Sequence, residues 1–198
     1  MQGFVNKAIQ NFIIDTFGPT RWADVTRQAE IGLTHFESLL DYDPQISQRL
    51  LQSAAIALEQ PSETLLEDLG HHLVAHRRNE GLRRLLRFSG NTFEDFILSL
   101  DELPDRVRLA VEEIDLPEIE VSQPETNQFL LTLGDQLPGF EWVLIGTLRA
   151  LADDYGALAL IDYQSGAARP QILLTLVNSN YAAGRQFDLG QSKVTLAG

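Results

Sequence analysis

The 198-residue sequence predicts an α+β fold in which a helical first half is followed by a small antiparallel sheet. Apolar residues recur at helical spacing through roughly the first hundred residues, and this pattern ends near Pro117. After Pro117, apolar and polar residues alternate as they do in half-buried strands, with one helical stretch in between. We therefore expect N-terminal helices, then four strands with one helix packed against them.

The helical half is divided by residues that begin and end helices. Gly18-Pro19 ends a first amphipathic helix over residues 2–17. Asp43-Pro44 places an N-cap before a proline at the first helical position, so a helix with an apolar pattern over residues 46–58 should follow. The next helices are predicted over about residues 62–78 and from Thr92 onward, with breaks at Gly81 and at Ser89-Gly90-Asn91.

Four short segments of the second half are predicted to be strands. Ile119 and Val121 alternate with polar residues, and so do Leu131 and Leu133, which predicts an antiparallel pair. A helix is predicted from Gly139 to about residue 154. Two further strands, over residues 157–163 and 172–177, should be joined by the turn Gln164-Ser165-Gly166.

Composition excludes several classes of function. A net charge of −13 argues against nucleic acid as a partner, because phosphate binding needs clustered Lys and Arg. The absence of cysteine excludes disulfides, a thiolate nucleophile and cysteine-based metal centres. There is no long apolar run and no leader-like N-terminus, so we expect a soluble, cytoplasmic protein without membrane contact.

The sequence offers no support for an enzyme. It lacks a Gly-x-Ser-x-Gly nucleophile elbow and a glycine-rich phosphate loop. Adjacent acidic pairs such as Asp101-Glu102 do not face each other on a helix, so solvated charge accounts for them. Basic residues cluster between the acidic pairs Glu67-Asp68 and Glu94-Asp95, and this basic patch comprises Arg77, Arg78, Arg83, Arg84 and Arg87. We interpret the basic patch as a solvated helix face. A docking site for an acidic partner is the alternative.

Three histidines raise the question of a metal site. His72 and His76 are four residues apart and share one helical face, with His71 beside them. Zinc needs further ligands, and the glutamate of a His-Glu-x-x-His motif is missing here. We therefore interpret the three histidines as part of a charged, partly exposed helix and predict no metal. His35 stands alone and is expected at the surface.

Several stretches together resemble the haem nitric-oxide/oxygen-binding (H-NOX, or HNOB) family of sensor domains related to soluble guanylate cyclase. Met1-Gln2-Gly3-Phe4-Val5-Asn6-Lys7-Ala8-Ile9 is similar to the first helix of the family, and Phe17-Gly18 followed by Trp22 is similar to the end of that helix and the start of the next. Residues 91–107 resemble the proximal helix, and residues 139–150 resemble the helix after the Tyr-x-Ser-x-Arg motif of the family. Pro117 falls where the family presses a proline against the porphyrin.

The same resemblance reveals two departures. Pro104 occupies the position of the proximal histidine, and proline has no lone pair to give to iron. The Tyr, Ser and Arg that bind the haem propionates in the family align with Leu133, Asp135 and Leu137. A leucine cannot replace the charge-assisted bonds of an arginine, and Asp135 would repel a propionate. We therefore expect no haem and no other cofactor.

The resemblance also predicts a domain plan and a former haem cavity. One domain should cover residues 1–190, divided into a helical part at 1–62 and an α+β part at 63–190, with a tail at 191–198. Seven residues are expected to line the cavity: Val5, Leu73, Pro104, Pro117, Leu133, Leu137 and Trp142. Trp142 aligns near the distal tyrosine of oxygen-binding members, and its bulk favours a packing role.

The function implied is a haem-free sensory or regulatory domain that is not an enzyme. By resemblance its partner would be a signalling protein such as a histidine kinase or a cyclic-nucleotide enzyme. Its input would be either an apolar small molecule in the former haem cavity or the partner itself. The alternative is a haem-based sensor of NO or O2 with a non-standard axial ligand, for which His76 is the candidate.

Overall fold

A computed structural model describes residues 2–110 and 114–185, and within these it contains eight α-helices and four strands. The helices are α1 (Gln2–Phe17), α2 (Pro19–Gln28), α3 (Pro44–Leu58), α4 (Ser62–Ala75), α5 (Glu80–Arg87), α6 (Phe93–Leu98), α7 (Leu103–Ala110) and α8 (Phe140–Tyr155). The strands are β1 (Ile119–Glu125), β2 (Gln128–Leu133), β3 (Leu158–Gln164) and β4 (Gln171–Asn178). The predicted α+β fold is confirmed. The predicted tail at 191–198 lies outside the described residues.

Helix α4 ends earlier than the sequence predicts. It stops at Ala75 rather than near Arg78, because His76 adopts an extended backbone with φ −78° and ψ 135°. The Nδ1 atom of His76 accepts a hydrogen bond from the backbone N–H of Arg78 at 3.4 Å, and a single 3₁₀ turn, Arg77–Asn79, leads into α5. The predicted helix over residues 62–78 is therefore one helix and one turn.

The stretch that resembles the proximal helix is divided into three segments. Thr92 begins α6 with a capping box, in which its hydroxyl accepts from the Asp95 N–H and the Asp95 carboxylate accepts from the Thr92 N–H. A 3₁₀ turn, Leu100–Glu102, separates α6 from α7. Pro104 lies in the first turn of α7 and has no N–H to donate to the carbonyl of Leu100, which instead accepts from Leu103.

The sheet has the strand order β1-β2-β4-β3, and every neighbouring pair is antiparallel. Leu133 at the end of β2 pairs with Ile119 at the start of β1. The register of β1 against β2 is irregular between Ser122 and Glu125. The sheet and α8 confirm the predicted four strands with one helix packed against them.

Two clusters of buried apolar side chains divide within α4. The N-terminal cluster extends from Ile9 to Leu69 and includes Leu65 of the same helix. The C-terminal cluster begins at Val74 and extends to Leu176 of β4. The two clusters therefore separate inside α4, between Leu69 and Val74, and the boundary at residue 62 stays a prediction. No helix within the described residues is long and apolar enough to cross a membrane.

Helices α4 and α8 cross at a point where each contributes a glycine. A Cβ on Gly70 would overlap the carbonyl oxygen of Val143, and a Cβ on Gly146 would overlap the carbonyl oxygen of Glu67. Across the crossing, the hydroxyl of Thr147 donates to the carbonyl oxygen of Gly70 at 3.3 Å. Backbone thus meets backbone without intervening side chains, and this contact joins the two clusters.

We expect Gly146→Ala to destabilise the fold, because the new methyl group must separate two packed helices and overpacking costs about 1–3 kcal/mol. The matched control is Gly81→Ala in α5, where a Cβ would meet nothing within 4 Å. Gly81→Ala should be neutral or should stabilise the fold by roughly 0.5–1 kcal/mol, because alanine leaves the unfolded chain less backbone freedom to lose on forming the helix. Urea denaturation followed by circular dichroism measures both, and equal effects would contradict the tight crossing.

Candidate functional site

The seven residues predicted to line the former haem cavity are distributed over both clusters. Val5 and Leu73 are partly buried and pack against the N-terminal cluster. The other five lie on the C-terminal side: Pro104 and Pro117 are buried, Leu133 is 1% exposed, and Leu137 and Trp142 are partly buried against the C-terminal cluster.

The side chains at the predicted axial and propionate positions offer no iron ligand and no positive charge. Pro104 supplies no ligand atom, and the four histidines of the chain are at residues 35, 71, 72 and 76, outside α6 and α7. The Leu133 side chain is enclosed in the C-terminal cluster, and its carbonyl oxygen accepts from the Nε of Arg169 at 3.1 Å. Asp135 is exposed. This donor set contains neither an iron ligand nor a cation to pair with a propionate.

Trp142 makes an aromatic contact that the sequence did not reveal. Its ring lies 4.8 Å from the ring of Tyr163 on β3, at an interplanar angle of 39°. Aromatic pairs in such arrangements contribute about 0.5–1.5 kcal/mol beyond burial. Trp142 therefore packs α8 onto the sheet.

The basic patch differs from its predicted character as a solvated helix face. Arg77 and Arg84 are exposed, but Arg83 is only 2% exposed. The Nε of Arg83 donates to Oδ1 of Asp154 at 2.9 Å, and its Nη1 donates to Oε1 of Glu80 at 2.8 Å. The prediction of a solvated side chain was wrong for Arg83. Its charge can be buried because the carboxylate of Asp154, near the C-terminal end of α8, pairs with it.

Arg87 is a second arginine to which the solvated-face prediction does not apply. Its side chain is 11% exposed, and its guanidinium lies 3.6 Å from the centre of the Tyr155 ring. Cation–π contacts of this kind favour arginine. The Tyr155 hydroxyl in turn donates to the carbonyl oxygen of Gly90 at 3.0 Å. Arg83 and Arg87 thus attach α5 to α8 and leave less of the patch available to an acidic partner.

His72 of α4 and the following His76 lie close to an acidic residue that the sequence analysis did not identify. Asp15 near the end of α1 places Oδ2 3.4 Å from Nε2 of His72 and 3.7 Å from Nδ1 of His76. The two imidazole rings are stacked with their centres 4.6 Å apart. The side chains of Asp15 and His72 are 8% and 10% exposed, whereas that of His76 is 36% exposed. His35, as predicted, is exposed.

His72 carries an imidazole that favours its neutral form. Burial lowers its pKa, and the neighbouring His76 and Arg78 lower it further; together these effects exceed the opposing effect of the Asp15 carboxylate, which raises the pKa. An adjacent open pocket of about 360 Å³ is lined by Phe12, Thr16, Asp68, His71, His72, Ala75 and His76. None of these is among the seven residues predicted to line the haem cavity.

Solved structures of H-NOX proteins have this arrangement of helices and sheet. An H-NOX protein from S. oneidensis in its Fe(II) state superposes with a TM-score of 0.75 at 17% identity, covering 90% of this chain and 97% of the other. An unliganded Fe(II) H-NOX mutant from K. algicida gives a TM-score of 0.74 at 15% identity, covering 91% of this chain and 99% of the other.

The family model described as Haem-NO-binding matches residues 2–161, and the chain belongs to that family. Soluble guanylate cyclases 89Da and 89Db of Drosophila melanogaster are each 18% identical to it over 163 residues. These matches cover 82% of this chain but 24% of each cyclase, so the chain spans about a quarter of their length.

Removing the carboxylate that Arg83 contacts should be strongly destabilising. Asp154→Ala leaves a buried guanidinium without that partner, and breaking a buried ion pair in this way costs roughly 3–5 kcal/mol. The neighbouring Asp153 is exposed, so Asp153→Ala is the matched control and should change stability by no more than about 0.5 kcal/mol. Chemical denaturation measures both, and similar small losses would show that the Arg83 contact contributes little.

Proposed function

We propose that this chain is a haem-free sensory or regulatory domain of the Haem-NO-binding family that acts through a partner protein. The observation that supports this proposal is Pro104, which is buried in the first turn of α7 and, by family resemblance, corresponds to the proximal histidine. A ring nitrogen within a peptide bond cannot coordinate iron. The family's response, in which a gas ligand breaks the iron–histidine bond, has no counterpart at this residue.

The propionate side of the former haem cavity supports the same proposal. Leu133 and Leu137 offer no hydrogen-bond donor from their side chains, and Asp135 is negatively charged. Two like charges about 4 Å apart repel by roughly 1 kcal/mol in water and by about 4 kcal/mol at an effective dielectric constant of 20. Both attachments of the cofactor are therefore missing from this sequence.

A haem sensor that uses His76 has less support. The imidazole of His76 stacks on His72 and faces Asp15 of α1. The pocket beside it shares no residue with the predicted haem cavity. A haem bound through His76 would have to displace this arrangement.

The output of the domain would pass through another protein or through a further part of a longer chain. The curated relatives are guanylate cyclases of which this chain matches a quarter. The partner would be a cyclic-nucleotide enzyme or, by family resemblance, a histidine kinase. For the input, we favour protein contact over an apolar ligand, because Leu133 is enclosed in the C-terminal cluster and Trp142 packs on Tyr163.

We expect the purified protein to be colourless when it is expressed with ample haem precursor, because no axial imidazole is present at residue 104. An absorption spectrum and a haemin titration measure this. One haem per chain with a sharp Soret band, lost on His76→Ala, would contradict the proposal and establish the alternative sensor.

A set of restoring variants tests the assigned positions. Pro104→His alone should give weak haem binding, and adding Leu133→Tyr, Asp135→Ser and Leu137→Arg should strengthen it, because a propionate would regain a cationic partner. If the single and the fourfold variants bind haem equally, the assignment of residues 133, 135 and 137 to the propionate contacts is incorrect.

A packed cavity predicts that apolar ligands leave the melting temperature unchanged. A panel of fatty acids and tetrapyrroles in a thermal-shift assay tests this. An open cavity would instead give stabilisation of about 2.7 kcal/mol with a ligand at 100 times its dissociation constant. Leu137→Lys is the control, since Leu137 is only partly buried and the charge should abolish any genuine cavity binding. A saturable shift that this variant removes would identify a small-molecule sensor.

A further inference from the structure

The junction between α1 and the end of α4 combines three side chains that bind metal ions in other proteins. One carboxylate oxygen of Asp15 and one ring nitrogen each of His72 and His76 all lie within 4.8 Å of one another. Asp15 comes from a different helix, so this group exists only in the folded chain. His72 lies in the last turn of α4, and His76 is the residue that directly follows the helix.

Several polar atoms in this group are buried. Both ring nitrogens of His72 and Oδ2 of Asp15 are inaccessible to solvent; Nδ1 of His72 has no hydrogen-bond partner, and Nε2 faces Oδ2 of Asp15 at 3.4 Å without the geometry of a hydrogen bond. The His72 side chain is 10% exposed and borders the open pocket that includes Thr16 and Asp68. Buried polar groups without well-formed hydrogen bonds are costly and uncommon in native structures, so these atoms are available to a ligand.

We propose that Asp15, His72 and His76 form a binding site for one divalent cation of the Zn²⁺ class. Tetrahedral zinc with bonds of about 2.0–2.2 Å places neighbouring donor atoms roughly 3.3–3.6 Å apart. The contact between Asp15 and His72 already has this length at 3.4 Å, and that between Asp15 and His76 is 3.7 Å. The group as a whole spans up to 4.8 Å, and the two imidazole rings are stacked at an interplanar angle of 21°. Stacked rings cannot direct both of their in-plane lone pairs at one ion, so binding requires the His76 ring to rotate out of the stack.

The donor set determines the class of ion. Two imidazole nitrogens and one carboxylate oxygen suit Zn²⁺, Cu²⁺ or Ni²⁺, whereas Mg²⁺ and Ca²⁺ prefer oxygen ligands alone. His72 and His76 both line the open pocket, so water from that pocket would supply the fourth ligand. A bound cation would link α1 to the end of α4 and would raise the stability of the folded state.

Two neighbouring contacts compete with the cation. Nη1 of Arg78 lies 3.2 Å from Oδ1 of Asp15, and its positive charge repels a metal ion. The Arg78 side chain is 65% exposed and can move into solvent. His76 must also exchange the hydrogen bond that its Nδ1 accepts from the Arg78 N–H, which is long at 3.4 Å.

The test is a calorimetric titration of the chelator-treated, tag-free full chain with ZnCl₂, accompanied by Co²⁺ absorption spectra and thermal melting. We expect one Zn²⁺ per chain, visible absorption bands typical of four-coordinate Co²⁺, and a higher melting temperature with metal. His72→Gln and Asp15→Asn should weaken binding by more than about a hundredfold, because even loss of an outer partner costs roughly 10–100-fold. Arg78→Gln should bind more tightly.

Controls distinguish this site from adventitious binding. His71→Gln and His35→Gln change histidines outside the group and should retain the affinity, the stoichiometry and the Co²⁺ spectrum. His76→Gln alters the most exposed ligand and provides a variant that should fold even if Asp15→Asn does not. The proposal is overturned if no stoichiometric binding occurs, if His76→Gln leaves the affinity unchanged, or if His71→Gln weakens it equally.

Discussion

The contact between α4 and α8 at Gly70 and Gly146 is the constraint on which the rest of the molecule depends. Leu65 and Leu69 of α4 belong to the N-terminal cluster, whereas Val74 of the same helix belongs to the C-terminal cluster. Helix α8 lies against the sheet, so its contact with α4 fixes the position of the N-terminal helices relative to β1–β4. Because backbone meets backbone there, the distance between the helices cannot be adjusted by changes of side-chain rotamer.

Pro104 constrains the backbone of the segment that resembles the proximal helix. Helix α6 already ends at Leu98, and the 3₁₀ turn Leu100–Glu102 follows it. Proline is tolerated in the first turn of α7, where an N–H would have no partner within the helix. The residue that offers no ligand atom is therefore also one that suits the start of a new helix after this turn.

Local sequence patterns predicted the helices and strands well, because apolar periodicity and capping residues lie within or directly beside each element. The alternation at Ile119 and Val121 identified β1, and Asp43-Pro44 identified the start of α3, whose N-cap carboxylate accepts from Gln45. The end of α4 was misplaced because the extended backbone of His76 leaves no trace in the apolar pattern. Helical periodicity describes which face is buried and carries little information about where a helix stops.

Contacts between distant segments could not be predicted from the sequence. In the sequence, the basic patch has the pattern of a solvated helix face. Its contact with Asp154 of α8 forms only when the chain folds and brings Asp154 against Arg83. Similarly, Asp15 has no special spacing relative to the histidines of α4, so only packing of α1 beside α4 unites them. The family resemblance identified Pro104 and Leu133 as informative positions, but it carried no information about these two groups.

The irregular register of β1 has a consequence for self-association. In the order β1-β2-β4-β3, β1 is an outer strand, and its last four residues, Ser122–Glu125, are exposed and include Pro124. Proline offers no N–H to an incoming chain, and the irregularity interrupts the repeat that continued ladder pairing requires. Glu120 and Glu125 add negative charge along the same edge. Strand β1 is consequently a poor template for adding a strand from another molecule, which protects this edge of the sheet against fibre-like growth.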